Sequence, residues 1–310
     1  MTASSDARGD RTAAERGAAD AGFRRELLAR VRLADLLVLA AVPAALGAVF
    51  ALPESTRRSL AFAYAEPTVR TAFTAHYVHL DAGHLAGNVV GYCLLAGVGY
   101  ALAVLAGYRR FFMVAFATFL AAFPVVLSAL NLAVPRNAIG FGFSGIDMAF
   151  AGLLPLLLGV YARERFFPGA SIRALPAAFF PLVGWMAVLA LPVSPRALDG
   201  PGLAGLAGLA GLAGLATAVA GLLLGLLYAT STGVRVREAV REAVRAAVSN
   251  PGYGDLFAVG IVLVVGYPIV GFPGDPTGSG GVVNLYVHLL GFCLAFIGPF
   301  ALLAAGAFEG

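Results

Sequence analysis

The sequence predicts an all-α polytopic membrane protein, and three observations carry that assignment. Of the 310 residues, 60% are hydrophobic and only 12% charged, with a mean hydropathy of +0.86, which leaves too little polar surface for a soluble fold. Apolar runs of about 20 residues, long enough as helices to cross a ~30 Å hydrocarbon layer, recur along most of the chain. All 21 cationic residues are arginines, set in short clusters between those runs. Clusters so placed are topology signals, and the net charge of +4 does not point to nucleic acid.

Taken in order, residues 1–32 are polar, rich in Ala, Gly, Asp and Arg, and without periodicity. They are too long and too charged to front a cleavable signal peptide, and read as a disordered cytoplasmic tail. Eight apolar segments follow, at about 33–52, 84–106, 110–131, 144–161, 174–192, 202–229, 254–271 and 282–304. Short positively charged loops stay in the cytoplasm. With the N-terminus inside, the inner side holds 13 arginines: 24, 25, 30, 32, 109, 110, 163, 165, 173, 235, 237, 241 and 245. The outer loops hold five, Arg57, Arg58, Arg70, Arg136 and Arg196. The count predicts a multi-pass protein of the cell membrane with both termini cytoplasmic.

Two stretches carry little chemistry. From Gly202 to Ala216 the triplet Gly-Leu-Ala repeats five times. A period of 3 lets the glycines drift around a helix of 3.6 residues per turn, so this segment reads as peripheral filler and not as a close-packing face. Residues 232–249 alternate charge with Val and Ala at helical spacing and read as an amphipathic cytoplasmic helix lying on the bilayer. Cys93 and Cys293 both fall within apolar segments and form neither a disulfide framework nor a metal-ligand pattern.

Polar groups inside membrane segments are costly and therefore candidates for function. The second segment opens with His79-Leu-Asp-Ala-Gly-His84-Leu-Ala-Gly-Asn88, which puts His84 and Asn88 on one helix face. The fourth opens with Gly142-Phe-Ser144-Gly145, and the last carries His288 followed by Gly291 and Ala295. Arginine counting makes these three segments run in the same direction from outside, so Ser144, His288, His84 and Asn88 share one depth. Gly145, Ala149 and Gly152 form a small stripe below Ser144, and Gly291 and Ala295 form one below His288. Such stripes let helix backbones touch and would set Ser144 beside His288. A serine activated by histidine is an acyl-transfer nucleophile. His84, Asn88 and the Ser144 backbone N–H, at a helix N-terminus, suit the oxyanion of a tetrahedral intermediate. No carboxylate is obviously placed behind His288. Asp147, one turn after Ser144, must be protonated, paired or near water at that depth. Gly142-Phe-Ser144-Gly145-Ile is not the strand-borne Gly-x-Ser-x-Gly elbow of soluble hydrolases.

Three separated motifs, Arg70-x3-Thr74-x4-His79-x4-His84-x3-Asn88, Gly142-x-Ser144-Gly145 and His288-x2-Gly291-x3-Ala295, together resemble the rhomboid family of intramembrane serine proteases. The resemblance implies a Ser144/His288 dyad without a third acid, an oxyanion hole of His84, Asn88 and the Ser144 amide, and no metal or cofactor. It also implies cleavage of transmembrane protein substrates near the outer membrane face. The family usually has six core helices with one between the serine and histidine helices. Here three intervene, so two are inserted into a six-helix core, and parity is kept. The Trp-Arg pair often found in the family's first outer loop is missing, since the only tryptophan is Trp185, and Ala295 stands where the family has a second glycine. Two alternatives stay open: an inactive relative that binds transmembrane client segments, and a small-solute transporter. Against the latter, the sequence has no paired intramembrane charges and no evident inverted repeat. It names neither the substrate nor the oligomeric state, nor which of helices 174–192, 202–229 and 254–271 takes the family's fifth-helix place.

Overall fold

The computed structural model describes residues 17, 19–134, 138–191, 203–273 and 283–308. Its helices are α1 (19–30), α2 (Leu33–Phe50), α3 (Glu54–Leu60), α4 (Val69–Thr74), α5 (Ala82–Ala106), α6 (Arg109–Ala121), α7 (Phe123–Asn131), α8 (Ser144–Arg165), α9 (Pro176–Leu189), α10 (Leu203–Ser231), α11 (Val236–Ser249), α12 (Tyr253–Gly271) and α13 (Leu285–Ala304). Among the described residues seven helices are long and apolar enough to cross a membrane, or eight spans if α6 and α7 count as one. The chain is thus an all-helical, multi-pass membrane protein. The expected span 110–131 is broken: its axis turns by 50° between α6 and α7, where Pro124 in the first turn of α7 has no N–H to continue the ladder.

α8 is the central helix. Nearly every residue from Gly145 to Tyr161 is buried, against α13, α5 and α12. Glycine makes the tightest of these contacts. A Cβ on Gly291 would lie 2.2 Å from the Gly145 carbonyl oxygen, and one on Gly152 would lie 2.2 Å from that of Phe292, so the α8 and α13 backbones touch with nothing between them.

At one end of the bundle Arg30, Arg109 and Arg165 converge. Arg165 donates to the Leu105 carbonyl at 2.7 Å and Arg30 to the same oxygen at 3.3 Å, satisfying a carbonyl that the last turn of α5 leaves without a helical partner. Asp35, 3% exposed, accepts from Arg109 Nε and from the Tyr100 hydroxyl, each at 2.6 Å. Residues 19–30, expected within a disordered tail, are helical because distant partners hold them. Glu26 pairs with Arg165 and Arg30 and accepts from the Tyr253 hydroxyl, and Phe23 packs edge-on to Tyr253. The Arg165 guanidinium holds the Glu26 carboxyl below the usual carboxylate range. Residues 1–16 of that expected tail lie outside the described residues, as do Arg136 and Arg196.

α10 packs along α9, and this contact corrects the reading of its glycines. Cβ atoms on Gly214, Gly221 and Gly225 would meet Leu191, the Phe180 carbonyl and Pro181 at 2.2, 2.4 and 2.6 Å. Among the described residues the face runs from Gly214, within the triplet repeat, through Ala218, Gly221 and Gly225 beyond it, at spacings of three and four that do line up. α11 turns Ala246 inward and exposes Val240, Val244 and Val248, the two-sided character its sequence predicts.

Candidate active site

The end of the bundle opposite Arg30, Arg109 and Arg165 is built from short pieces. β1 (Phe62–Ala63) pairs antiparallel with β2 (Ile139–Gly140), fixing the segment that leads into α8. Gly142 then adopts φ +110°, a left-handed conformation that favours glycine. Space demands glycine too, since a Cβ there would lie 2.7 Å from His84 Cε1 and 3.8 Å from Asn88 Nδ2. The loop therefore lies directly on the start of α5, and Ser144 follows as the first residue of α8.

Ser144 Oγ lies 2.8 Å from His288 Nε2. His288 Nδ1 lies 2.6 Å from the carbonyl oxygen of Gly271, at the end of α12. A carbonyl only accepts, so Nδ1 carries the proton and Nε2 presents its lone pair to the Ser144 hydroxyl. The imidazole, 4% exposed, is thereby held in the tautomer that a general base needs. The group behind His288 is a backbone carbonyl, for which no residue type in the sequence gives a sign. Asn284 caps α13 by accepting from the Val287 N–H at 3.2 Å and donates to the Tyr64 hydroxyl at 3.3 Å, while Tyr64 also packs on Gly140. Tyr64 thus ties the segment before Ser144 to the helix that carries His288.

The structure gathers the remaining predicted residues around this pair. His79 Nε2 accepts from Asn88 Nδ2 at 2.7 Å and from the Phe143 N–H at 3.3 Å, so His79 fastens the loop to α5. One N–H of the Asn88 amide is used in this way and the second remains for another acceptor. His84 is half-buried, packs edge-on to His79 and abuts Gly142. Ser144, as the first helical residue, has a backbone N–H with no preceding carbonyl to take it. Gly145 and Gly291 lie at the α8–α13 contact already described, and Ala295 is fully buried one turn below Gly291.

A second serine–histidine pair lies nearby and shows what distinguishes the first. His76 Nε2 is 3.1 Å from Ser128 Oγ, but that hydroxyl donates to the Ala72 carbonyl at 2.9 Å. With its hydrogen spent, Ser128 can only accept from His76, so the proton faces the wrong way for activation. Burial lowers the His76 imidazole to about 4 and that of His79 to about 3, keeping both neutral. Among the described residues no group of three or more His, Cys, Asp or Glu gathers as a metal site would require.

Gly271, Tyr64 and Asn284 belong to the site or its supports and were not among the residues predicted from sequence. Asn284 had a readable signal, a capping residue just before an apolar run. No protein-family model, curated protein or solved structure matches the chain.

Proposed function

We propose that the chain is an intramembrane serine endopeptidase of the rhomboid type. The observation that supports this most directly is the Ser144–His288 hydrogen bond with the far ring nitrogen committed to a carbonyl. In this reading Ser144 Oγ attacks the scissile carbonyl of a transmembrane substrate as its proton passes to His288 Nε2. The oxyanion is received by the Ser144 backbone N–H, His84 and Asn88. His288 then returns the proton to the departing amine, leaving an acyl ester on Ser144. Water attacks that ester with His288 again as base, which releases the acid and restores the hydroxyl.

The contacts of α12 favour it for the family's fifth-helix place. It packs on α8 and α5 and holds His288, whereas α9 and α10 pair with each other at the edge and fit the two inserted helices. The arginine-rich end is then cytoplasmic, the Ser144 end faces the opposite side of the cell membrane, and α11 lies on the inner leaflet.

Labelling of purified protein by a fluorescent fluorophosphonate, together with cleavage of a transmembrane reporter, tests the reading. Both activities are expected in wild type and lost in Ser144→Ala and His288→Ala at unchanged melting temperature. Reporter cleavage near wild type in both variants would overturn it. A folded wild type that binds the reporter but is neither labelled nor active would favour the client-binding alternative.

A further inference from the structure

Asp147 lies three residues after Ser144 on α8, one turn deeper in the bundle. It is 0% exposed, and neither carboxyl oxygen completes a hydrogen bond. The Tyr267 phenol of α12 faces the carboxyl, and the Tyr92 phenol, which donates to the Leu39 carbonyl, lies nearby. The Tyr267 hydroxyl rests in a notch on α5 that exists because residue 91 is glycine: a Cβ there would lie 2.5 Å from the hydroxyl oxygen. Gly91 stands three residues after Asn88 and seven after His84, on the same helix face. Immediately below the serine and the proposed oxyanion donors there is therefore a second layer, made of Asp147, Gly91 and Tyr267. Four residues beyond Tyr267 is Gly271, whose carbonyl orients His288.

A carboxyl this deep without full hydrogen bonds is expensive, and valine or leucine would fill the same space at no such cost. Its unmet capacity points to a donor that arrives with a ligand. Reach identifies that ligand. Residues three apart on a helix are about 5–6 Å apart at Cβ, and an extended chain advances ~3.3 Å per residue with alternate side chains on one face. By those spacings, a substrate that runs down α8 from a scissile carbonyl at Ser144 Oγ would bring a side chain one or two residues away to the depth of Asp147.

We infer that Asp147 is a specificity-determining residue that receives an N–H- or O–H-bearing side chain within two residues of the scissile bond, displacing the Tyr267 hydroxyl that plugs its place. The inference rests on Ser144 being the nucleophile. It narrows the substrate class to transmembrane segments with a hydrogen-bond donor beside the cleavage point.

The test uses pairs of transmembrane reporters that differ by Leu or the near-isosteric Asn at each position within two residues of the cleavage site. The ratio of kcat/KM for Asn over Leu is read within each enzyme variant, so that expression and folded fraction cancel. Wild type is expected to favour Asn at one position by about tenfold. Asp147→Leu is expected to bring that ratio to one or below, and Tyr267→Phe, which removes the competing hydroxyl, to raise it. A wild type that cleaves both reporters of every pair equally overturns the inference and leaves the protease reading standing, as does a ratio unchanged in Asp147→Leu. If Asp147→Leu does not fold, an unchanged ratio in Tyr267→Phe overturns it equally. A folded wild type that cleaves no reporter and takes no fluorophosphonate removes both.

Discussion

Replacing Gly291 by alanine adds one methyl group three residues below His288, and the structure says where it goes. The new Cβ would lie 2.2 Å from the Gly145 carbonyl oxygen, where ordinary contact begins near 3.4 Å. The obstacle is backbone within the central helix, so it cannot swing aside, and α8 and α13 must separate by about 1 Å. Carried to the next turn, that separation takes the Ser144–His288 distance from 2.8 Å to about 3.8 Å, beyond hydrogen-bond reach. A misplacement of about 1 Å at reacting groups costs about 100-fold. Gly298→Ala supplies the control, because it lies on the same helix and meets nothing within 4 Å. The assay is the second-order rate of fluorophosphonate labelling in detergent, with a thermal melt of each variant. Gly298→Ala should label within about twofold of wild type, and Gly291→Ala about 100-fold more slowly while still folded. Labelling of folded Gly291→Ala at the wild-type rate would refute the argument that this glycine contact holds the dyad together.

Other substitutions probe the surroundings. Asn88→Ala removes a proposed oxyanion donor and should lower reporter cleavage by about 10²–10³; a loss under tenfold would mean that Asn88 serves only to fasten His79. Burial keeps His76 and His79 neutral in the fold down to about 4 and about 3, against ~6.5 for the unfolded chain. Below that value the unfolded state takes up protons the folded state refuses, so stability is full above it and falls with pH by up to about 1.4 kcal/mol per unit for each histidine. The melting temperature should accordingly be lower at pH 5 than at pH 7, and a flat profile would contradict this. Arg109→Gln strands the buried Asp35 carboxyl and should cost about 2 kcal/mol, moderated because Arg109 is partly solvated. Asp35→Asn removes the buried charge itself and should cost less in the same melts; the reverse order would refute the assignment.

What could be read from sequence here is what residue type alone decides. Span positions followed from apolar length, and the contact below Ser144 and His288 was visible because Gly145, Gly152 and Gly291 admit backbone approach wherever they face each other. The break between α6 and α7 was visible as Pro124 but was absorbed into one apolar run. Other features had no local sign. The acceptor behind His288 is a main-chain carbonyl of Gly271, and every residue has one. Helix α1 depends on Glu26 meeting Arg165, 139 positions away, so its composition alone matched that of a tail. Gly221 and Gly225 matter because Phe180 and Pro181 lie opposite them, which a repeat of period 3 ending at Ala216 did not disclose.

On the proposed reading, in which α9 and α10 are additions to a rhomboid-type core, their placement explains how the site persists with three helices between its serine and its histidine. Two crossings return the chain to the side it left, so α12 and α13 run in the directions they would have without the pair. α10 packs on α9, and α9 reaches the bundle through Phe179, which packs on Phe292 and Phe296 of α13, and through Leu175 just before it, which fills the space at Gly159. These contacts lie below the layer of Ser144, His84, Asn88 and His288. The groups that orient His288, namely Gly271 on α12 and Asn284 at the head of α13, both follow α9 and α10 in sequence. The geometry of the candidate site therefore depends on the direction of the returning chain and on the glycine contacts of α8, and the number of helices between Ser144 and His288 can change by two without disturbing either.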